Sequence, residues 1–206
     1  GGIRLGFDQA FKDDIETVFI SEWDEKAQET YYANFGHNLE IAGDITKIDE
    51  KDIPAHDILL AGFPCQAFSL AGQRKGFDDA RGTLFFDVAR IAKHHQPKVI
   101  FAENVKNLVN HDRGRTFKVI KAILTDLGYT VFNKVLNSKD FGVPQNRERI
   151  YIVAFRNDIA PLGFRFPEKT DNTKVIGDIL EDTETSTKYY LSTVYLESLR
   201  KHKKRH

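Results

Sequence analysis

Apolar positions along this chain recur with two alternating periods. Ile3, Phe7 and Phe11 are spaced by four and predict a helix over 3–11. Residues 18–23 (VFISEW) read as a strand, and Ala27, Tyr31 and Phe35 mark a second helix. A short apolar run at 58–61 ends at Gly62. Leu84, Val88, Ile91 and His95 mark a third helix, stopped by Pro97, and a second apolar run follows at 99–102. Phe117, Ile120, Leu124 and Leu127 mark a fourth helix, with Gly128 in the usual C-terminal position. Residues 130–136 and 149–155 are rich in Val, Ile, Tyr and Phe and predict strands. Short buried strands between amphipathic helices mean a sheet covered on both faces, so the expected fold is doubly wound α/β with a mostly parallel sheet. The last two strands follow each other without a helix, so one of them is expected to run antiparallel. After about Pro161 the pattern weakens: 165–187 is polar and turn-rich, and 189–201 forms a weak helix candidate. The expected division is a catalytic-size domain over 1–160 and a linker with the start of a second region over 161–206.

Composition narrows the classes. The chain has 206 residues, 41% hydrophobic and 29% charged, enough for a real core. No apolar run is long enough to span a bilayer, and no signal-peptide pattern is present. A single cysteine excludes an internal disulfide framework and fits a reducing compartment, so a cytoplasmic location is expected. The sequence opens on Gly1-Gly2 and contains no methionine, so a natural start before Gly1 is expected. Net charge is zero, which argues mildly against a nucleic-acid binder. Its distribution is uneven: Lys188–His206 holds six Lys or Arg and one Glu, +5 against −5 in the rest. A solvated surface helix explains that tail as well as a ligand does.

In open α/β sheets, ligands bind beyond the carboxyl ends of strands. Those positions here are Glu22-Trp23-Asp24, Asp44-Ile45, Gly62-Phe63-Pro64-Cys65-Gln66 and Glu103-Asn104-Val105. Glu22 lies twenty positions after Gly2, a spacing at which a carboxylate grips ribose hydroxyls in nucleotide-binding units. Trp23 offers a flat face to an adenine ring. The alternatives are an exposed strand-end carboxylate and a core tryptophan. Asp44 suits an adenine amino group or simply caps a turn. Cys65 sits behind Pro64 in a loop containing Gly72, Gly76 and Gly82, which suits a lid. Glu103 ends the next apolar run and would sit beside Cys65 if the two strands are neighbours. A thiolate beside a carboxylic acid suits attack on a ring whose nitrogen must be protonated. There is no GxxxxGK phosphate loop, no HExxH or paired CxxC, and no GxSxG elbow. His202 and His206 lie in the basic tail, where a charged surface is the better reading, so no metal site is expected.

These segments, in order, resemble the motifs of the C5-cytosine-specific DNA methyltransferase family. Gly1-Gly2 resemble the end of its first glycine motif. Glu22-Trp23 and Asp44-Ile45 resemble its cofactor contacts. Gly62 to Gln66, followed by Arg81 to Phe85, resembles its catalytic motif. Glu103-Asn104-Val105 resembles its glutamate motif, and Gln145-Asn146-Arg147-Glu148-Arg149 its Gln-x-Arg-x-Arg motif. The resemblance runs from Gly1 to about Phe155 and implies the N-terminal catalytic portion of a DNA (cytosine-5-)-methyltransferase. It implies a Rossmann-like fold, S-adenosylmethionine as methyl donor (leaving as S-adenosylhomocysteine), and a base flipped from duplex DNA as acceptor. Cys65, Glu103, Arg147 and Arg149 are the implied catalytic residues. Gly2, Ile3, Glu22, Trp23, Asp44, Ile45, Phe63, Pro64 and Leu84 are the implied cofactor contacts. Cys65 would attack C6, Glu103 would serve N3 and the amino group, and Arg149 would contact the ring oxygen. The loop from Gln66 to Gly82 would close over DNA, with Arg74, Lys75 and Arg81 meeting phosphates. Asp78 and Asp79 temper that charge, and a solvated loop remains open for it.

The resemblance also marks what is missing. The opening of the first motif, most of the target-recognition region and the last two motifs are not in this sequence. The isolated chain is therefore expected to methylate poorly. A bacterial restriction-modification or solitary methylase, monomeric when full-length and without membrane attachment, is the implied setting. Two rivals stand: an RNA (tRNA) cytosine-5 methyltransferase with the same core, and a catalytic subunit inactive without a separate recognition part. The Phe-Pro-Cys-Gln-Ala-Phe-Ser segment favours the bacterial DNA enzymes.

Overall fold

The computed structural model describes residues 1–64, 84–159, 161–170, 173–183 and 186–203. The expected lid from Gln66 to Gly82 and the expected nucleophile Cys65 lie outside the described residues. So do the last three residues of the basic tail.

Four strands form the sheet: β1 (Ile58–Gly62), β2 (Val99–Val105), β3 (Tyr129–Asn137) and β4 (Glu148–Arg156), in the order β1-β2-β4-β3. β1 and β2 pair in parallel, while β4 runs antiparallel to both β2 and β3. Three strands thus share one direction. The reversed one is the strand reached from β3 without an intervening helix, as expected from so short a connection.

Two helices cover one face. α3 (Leu84–His95) contributes Phe85, Val88, Ala89 and Ala92 to the core, and α4 (Arg115–Asp126) contributes Ile120 and Leu124. They pack on Ile100 and Ala102 of β2 and on Ile150, Ile152 and Ala154 of β4, alternate residues along each strand. α4 ends where Gly128 takes φ +90°, a conformation that costs glycine little. On the opposite face, α1 (Gly2–Phe11) sets Phe7 edge-on against Phe101 of β2 at 5.4 Å. α2 (Glu25–Phe35) is capped by Asp24, whose carboxylate accepts from Ala27 N at 2.8 Å. A Cβ on Gly1 would lie 2.6 Å from the Phe35 ring, so a side chain there would have to displace that ring of α2.

Residues 18–23 fall short of the expected strand. They make one parallel bridge, Ser21 to Ala42, with backbone hydrogen bonds from Glu22 N to Ala42 O and from Ala42 N to Ile20 O. The partner segment turns away at once into a 3-10 turn at Ile45–Lys47, which leaves the extended backbone nothing further to pair with there.

The chain divides into compact units Gly1–Asn172 and Thr173–His206. Residues 161–170 belong to the first. Phe164 packs on Phe132 and Phe155, each at 5.1 Å, and Thr170 N donates to Asp140 O. The second unit has α5 (Thr193–Lys203), in place of the helix expected over 189–201, and every residue described for burial there is exposed. Among the described residues no helix is long and apolar enough to cross a membrane.

Tyr129 opens β3 with its hydroxyl donating to Pro97 O at 2.8 Å in the core. Burial pushes its pKa up to about 12, since the phenolate would lose hydration. The unfolded phenol releases its proton near pH 10, so stability from this group is complete below pH 10 and lost between about 10 and 12. Denaturant unfolding across that range is expected to show the fall, and Tyr129→Phe is expected to remove this component of it.

Candidate active site

The chemistry of the site begins with the pleat of β2. Successive side chains point to opposite faces, so Glu103 and Asn104 diverge. Glu103 faces the side away from α3 and α4. There the antiparallel register sets it opposite Tyr151 of β4, two residue pairs from Arg149 opposite Val105 and so on the same face as it. Arg149 Nε lies 2.9 Å from Glu103 Oε1, and an Arg147 terminal nitrogen lies 3.8 Å from the same oxygen. The Glu103 and Arg149 side chains are about one-fifth exposed, at 22% and 21%. Screening by water is therefore weaker than for a surface pair. The expected catalytic residues Glu103, Arg147 and Arg149 thus meet at one point. Tyr151 packs against Phe101 beside them. Burial, and then the Glu103 carboxylate, hold the Tyr151 hydroxyl in its neutral form above its usual range.

Asn104 faces the other way and is 2% exposed. Its Nδ2 donates to Phe63 O at 2.7 Å, while its Oδ1 accepts from Val105 N at 2.8 Å. Phe63 and Pro64 lie directly before Cys65, and Gly62 pairs with Glu103 in the parallel register. The strand carrying Glu103 and the strand leading to Cys65 are therefore neighbours, the condition on which Glu103 was expected beside Cys65. Asn104 fastens the two together beyond the last strand pair. No role for it follows from the motif alone. The available signal was an amide near the end of a largely apolar strand, since a buried amide must be hydrogen-bonded.

A further brace holds the arginine segment. Asn137 Oδ1 accepts from Arg147 N at 3.0 Å, and Asn137 Nδ2 donates to Asn146 Oδ1 at 2.6 Å. Ser138 Oγ donates to Gln145 O at 2.6 Å. Asn137 ends β3 and Ser138 follows it, so the turn from Gln145 to Arg147 is tied back to the end of the preceding strand. Beside it lies a cleft of about 350 Å³ lined by Val105, Lys106, Asn107, Asn110, Glu148 and Arg149. An ion pair between Lys106 and Glu148 at 2.8 Å flanks this cleft.

Four of the expected cofactor contacts form a second group. Glu22, Trp23, Asp44 and Ile45 end two neighbouring extended segments, which the Ser21–Ala42 bridge aligns. Glu22 Oε1 accepts from Asp24 N at 3.0 Å. Trp23 is 73% exposed, so it is a surface indole and not a core residue. Asp44 does cap a turn: its Oδ1 accepts from Thr46 Oγ1 at 2.8 Å and Thr46 N at 3.0 Å. The Thr46 hydroxyl first, then its amide, hold the Asp44 carboxyl below its usual range, so it is an anionic acceptor at neutral pH. Gly2 and Ile3 open α1, Leu84 opens α3 and packs against its core, Phe63 is buried and Pro64 exposed. Two carboxylates and an exposed indole at the ends of adjacent segments are chemically suited to an adenosine. Among the described residues no group of three or more His, Cys, Asp or Glu is placed to hold a metal.

The family described as C-5 cytosine-specific DNA methylase matches residues 1–206. Type II methyltransferase M.HpaII of Haemophilus parainfluenzae is 58% identical over 193 residues, covering 92% of this chain and 53% of the relative. M.SsoII of Shigella sonnei is 55% identical, covering 93% of this chain and 50% of the relative. M.HhaI of Haemophilus parahaemolyticus is 52% identical, covering 89% and 55%. The chain thus spans about half the length of these relatives. A Spodoptera frugiperda DNMT2 mutant shares the fold with a TM-score of 0.70 at 22% identity, covering 97% of this chain and 62% of that one. The S. pombe Dnmt2 methyltransferase does so at 0.69 and 21%, covering 98% and 64%. With a family match along its full length, the chain belongs to the C-5 cytosine-specific DNA methylases.

Proposed function

We propose that the intact protein transfers a methyl group from S-adenosylmethionine to C5 of a cytosine flipped out of duplex DNA. The observation that carries this reading is Glu103 held by Arg149 at the end of β2, on the strand adjacent to the one leading into Cys65. The curated relatives are named as type II methyltransferases, which supports a bacterial restriction-modification setting and the cytoplasm. The family's DNA substrate favours this over a transfer-RNA acceptor.

The residues divide the chemistry as follows. Cys65 as thiolate forms a bond to C6, and the C5–C6 π pair moves to C5. Glu103 delivers a proton at N3 and accepts from the exocyclic amine, which makes the ring electrophilic at C6. Arg149 fixes the Glu103 carboxylate and reaches the ring oxygen, with Arg147 behind it. S-adenosylmethionine, when bound, supplies an electrophilic methyl group on a sulfonium centre. Glu22 and Asp44 grip the two ends of its adenosine and Trp23 covers the purine face; Gly2, Ile3, Ile45, Phe63, Pro64 and Leu84 complete that wall. A base then takes the C5 proton, the C5 electron pair re-forms the C5–C6 double bond as the Cys65 thiolate leaves, and N3 returns its proton to Glu103. DNA contacts outside this segment are needed for turnover, and the 206-residue chain alone is expected to methylate far more slowly than the intact protein.

Duplex DNA carrying 5-fluorocytosine, offered to the intact protein with S-adenosylmethionine, tests the mechanism. Fluorine cannot leave as a proton does, so a covalent adduct is expected with the natural sequence and none with Cys65→Ser. An adduct that survives Cys65→Ser, or none from folded protein that binds S-adenosylmethionine and is offered DNA of varied sequence, contradicts the proposal. Transfer to transfer RNA but not to duplex DNA would reverse the choice of acceptor. Glu103→Gln is expected to slow methyl transfer by about a hundredfold or more. Its affinity for S-adenosylhomocysteine, read by calorimetry, is expected to stay near that of the natural protein.

A further inference from the structure

Arg90, midway along α3, aims its guanidinium at three acceptors. Nε donates to Asp87 Oδ1 at 2.9 Å, within the helix. One terminal nitrogen donates to Glu50 Oε2 at 2.8 Å, and the other to the backbone oxygen of Ile45 at 2.6 Å. Farther along α3, His95 Nε2 lies 2.7 Å from Glu50 O. The helix therefore holds both short turns, Ile45–Lys47 and Glu50–Asp52. α3 is itself locked by Phe85, Val88, Ala89 and Ala92 in the core. Arg90 is one-quarter exposed and Asp87 less so. Burial opposes the Arg90 charge, but the hydrogen bonds to Asp87 and Glu50 outweigh it, so the guanidinium stays charged.

A planar fork with donors in three directions is something arginine alone supplies; lysine is a point charge on a flexible stem. The acceptor at Ile45 is backbone, so the bond fixes chain position and not a side-chain rotamer. Asp44 is the preceding residue, and its carboxylate is already oriented by Thr46. A shift of the Ile45 carbonyl would carry that carboxylate with it.

We propose that Arg90 is a positioning residue for the adenine end of the methyl-donor site, holding the Asp44–Ile45 turn in register against α3. The inference rests on reading Asp44 as a contact to the adenine amino group. Arg90 touches neither donor nor base. It acts on affinity for the donor and on discrimination at the purine, and leaves the bond-making steps alone.

The test uses the intact protein and two probes: S-adenosylhomocysteine, and its analogue with the purine amino group replaced by oxygen. Arg90→Lys is expected to raise the Kd for S-adenosylhomocysteine and the KM for S-adenosylmethionine by about tenfold. Its kcat at saturating donor should stay within about twofold, since no interaction made only in the transition state is removed. The preference for adenine over the oxo analogue should shrink in parallel. Glu50→Ala, which loosens the same tether without altering α3, is expected to raise Kd by about threefold. Asp44→Asn should weaken binding and abolish the preference, and adding Arg90→Lys to it should cost little more. If Asp44→Asn weakens binding while Arg90→Lys and Glu50→Ala do not, the role of Arg90 is wrong and the cofactor reading stands. If Asp44→Asn binds like the natural protein, the cofactor reading of this turn is wrong. Equal weakening of both probes by Arg90→Lys, with the adenine preference intact, is the signature of a general structural role and overturns the proposal.

Discussion

The site depends on the twofold period of β2. A strand cannot point two adjacent side chains the same way, so Glu103 and Asn104 must serve opposite faces. On one face Glu103 meets Arg149 across an antiparallel pair; on the other Asn104 reaches the carbonyl of Phe63. A single strand end thereby sets the carboxylate and the chain leading to Cys65. A one-residue slip in the register of β2 would exchange the two faces, burying the carboxylate under α3 and α4 and leaving Phe63 without its partner.

The rest of the first unit keeps that strand end rigid. Ile100 and Ala102 of β2 lie under α3 and α4, and Phe101 is covered from the other side by Phe7. The reversed direction of β4 matters for chemistry as well as topology. It brings the start of that strand, where Arg147 and Arg149 lie, to the end of β2, where Glu103 lies. A parallel strand at that place would have put the arginines at the far edge of the sheet. Asn137 and Ser138 then hold the turn before β4 to the end of β3. α3 links the two groups of site residues: its core face packs under β2, and Arg90 reaches the turn that follows Asp44.

Much of this was legible in the sequence, because it rests on local periodicity. Phe117, Ile120 and Leu124 mark α4 by spacing alone, and Gly128 marks its end. The absence of a helix between the last two strands announces the reversal of β4. Glu103, Arg147 and Arg149 were readable as motif residues, although only the register explains why two arginines share one carboxylate. Long-range pairing was less accessible. Residues 18–23 have strand character, yet how far a strand extends depends on a partner, and theirs turns away at Asp44. Arg90 reads as an ordinary polar position on an amphipathic helix, since its partners Ile45 and Glu50 are 45 and 40 positions away. Asn104 stood in the motif, but its acceptor is 41 positions distant and is a backbone carbonyl, which no residue type announces.

The claim that one strand end governs both the carboxylate and the chain leading to Cys65 is most directly tested at Asn104. The reaction to follow is exchange of the C5 proton of a target cytosine with solvent, in intact protein without the methyl donor. That exchange requires attack at C6 and polarisation at N3, and nothing from S-adenosylmethionine. Asn104→Asp keeps the shape of the side chain but replaces the donor to Phe63 O with an acceptor. The account predicts that exchange slows by about tenfold or more while affinity for S-adenosylhomocysteine is retained. Exchange at the natural rate in the folded variant would contradict it.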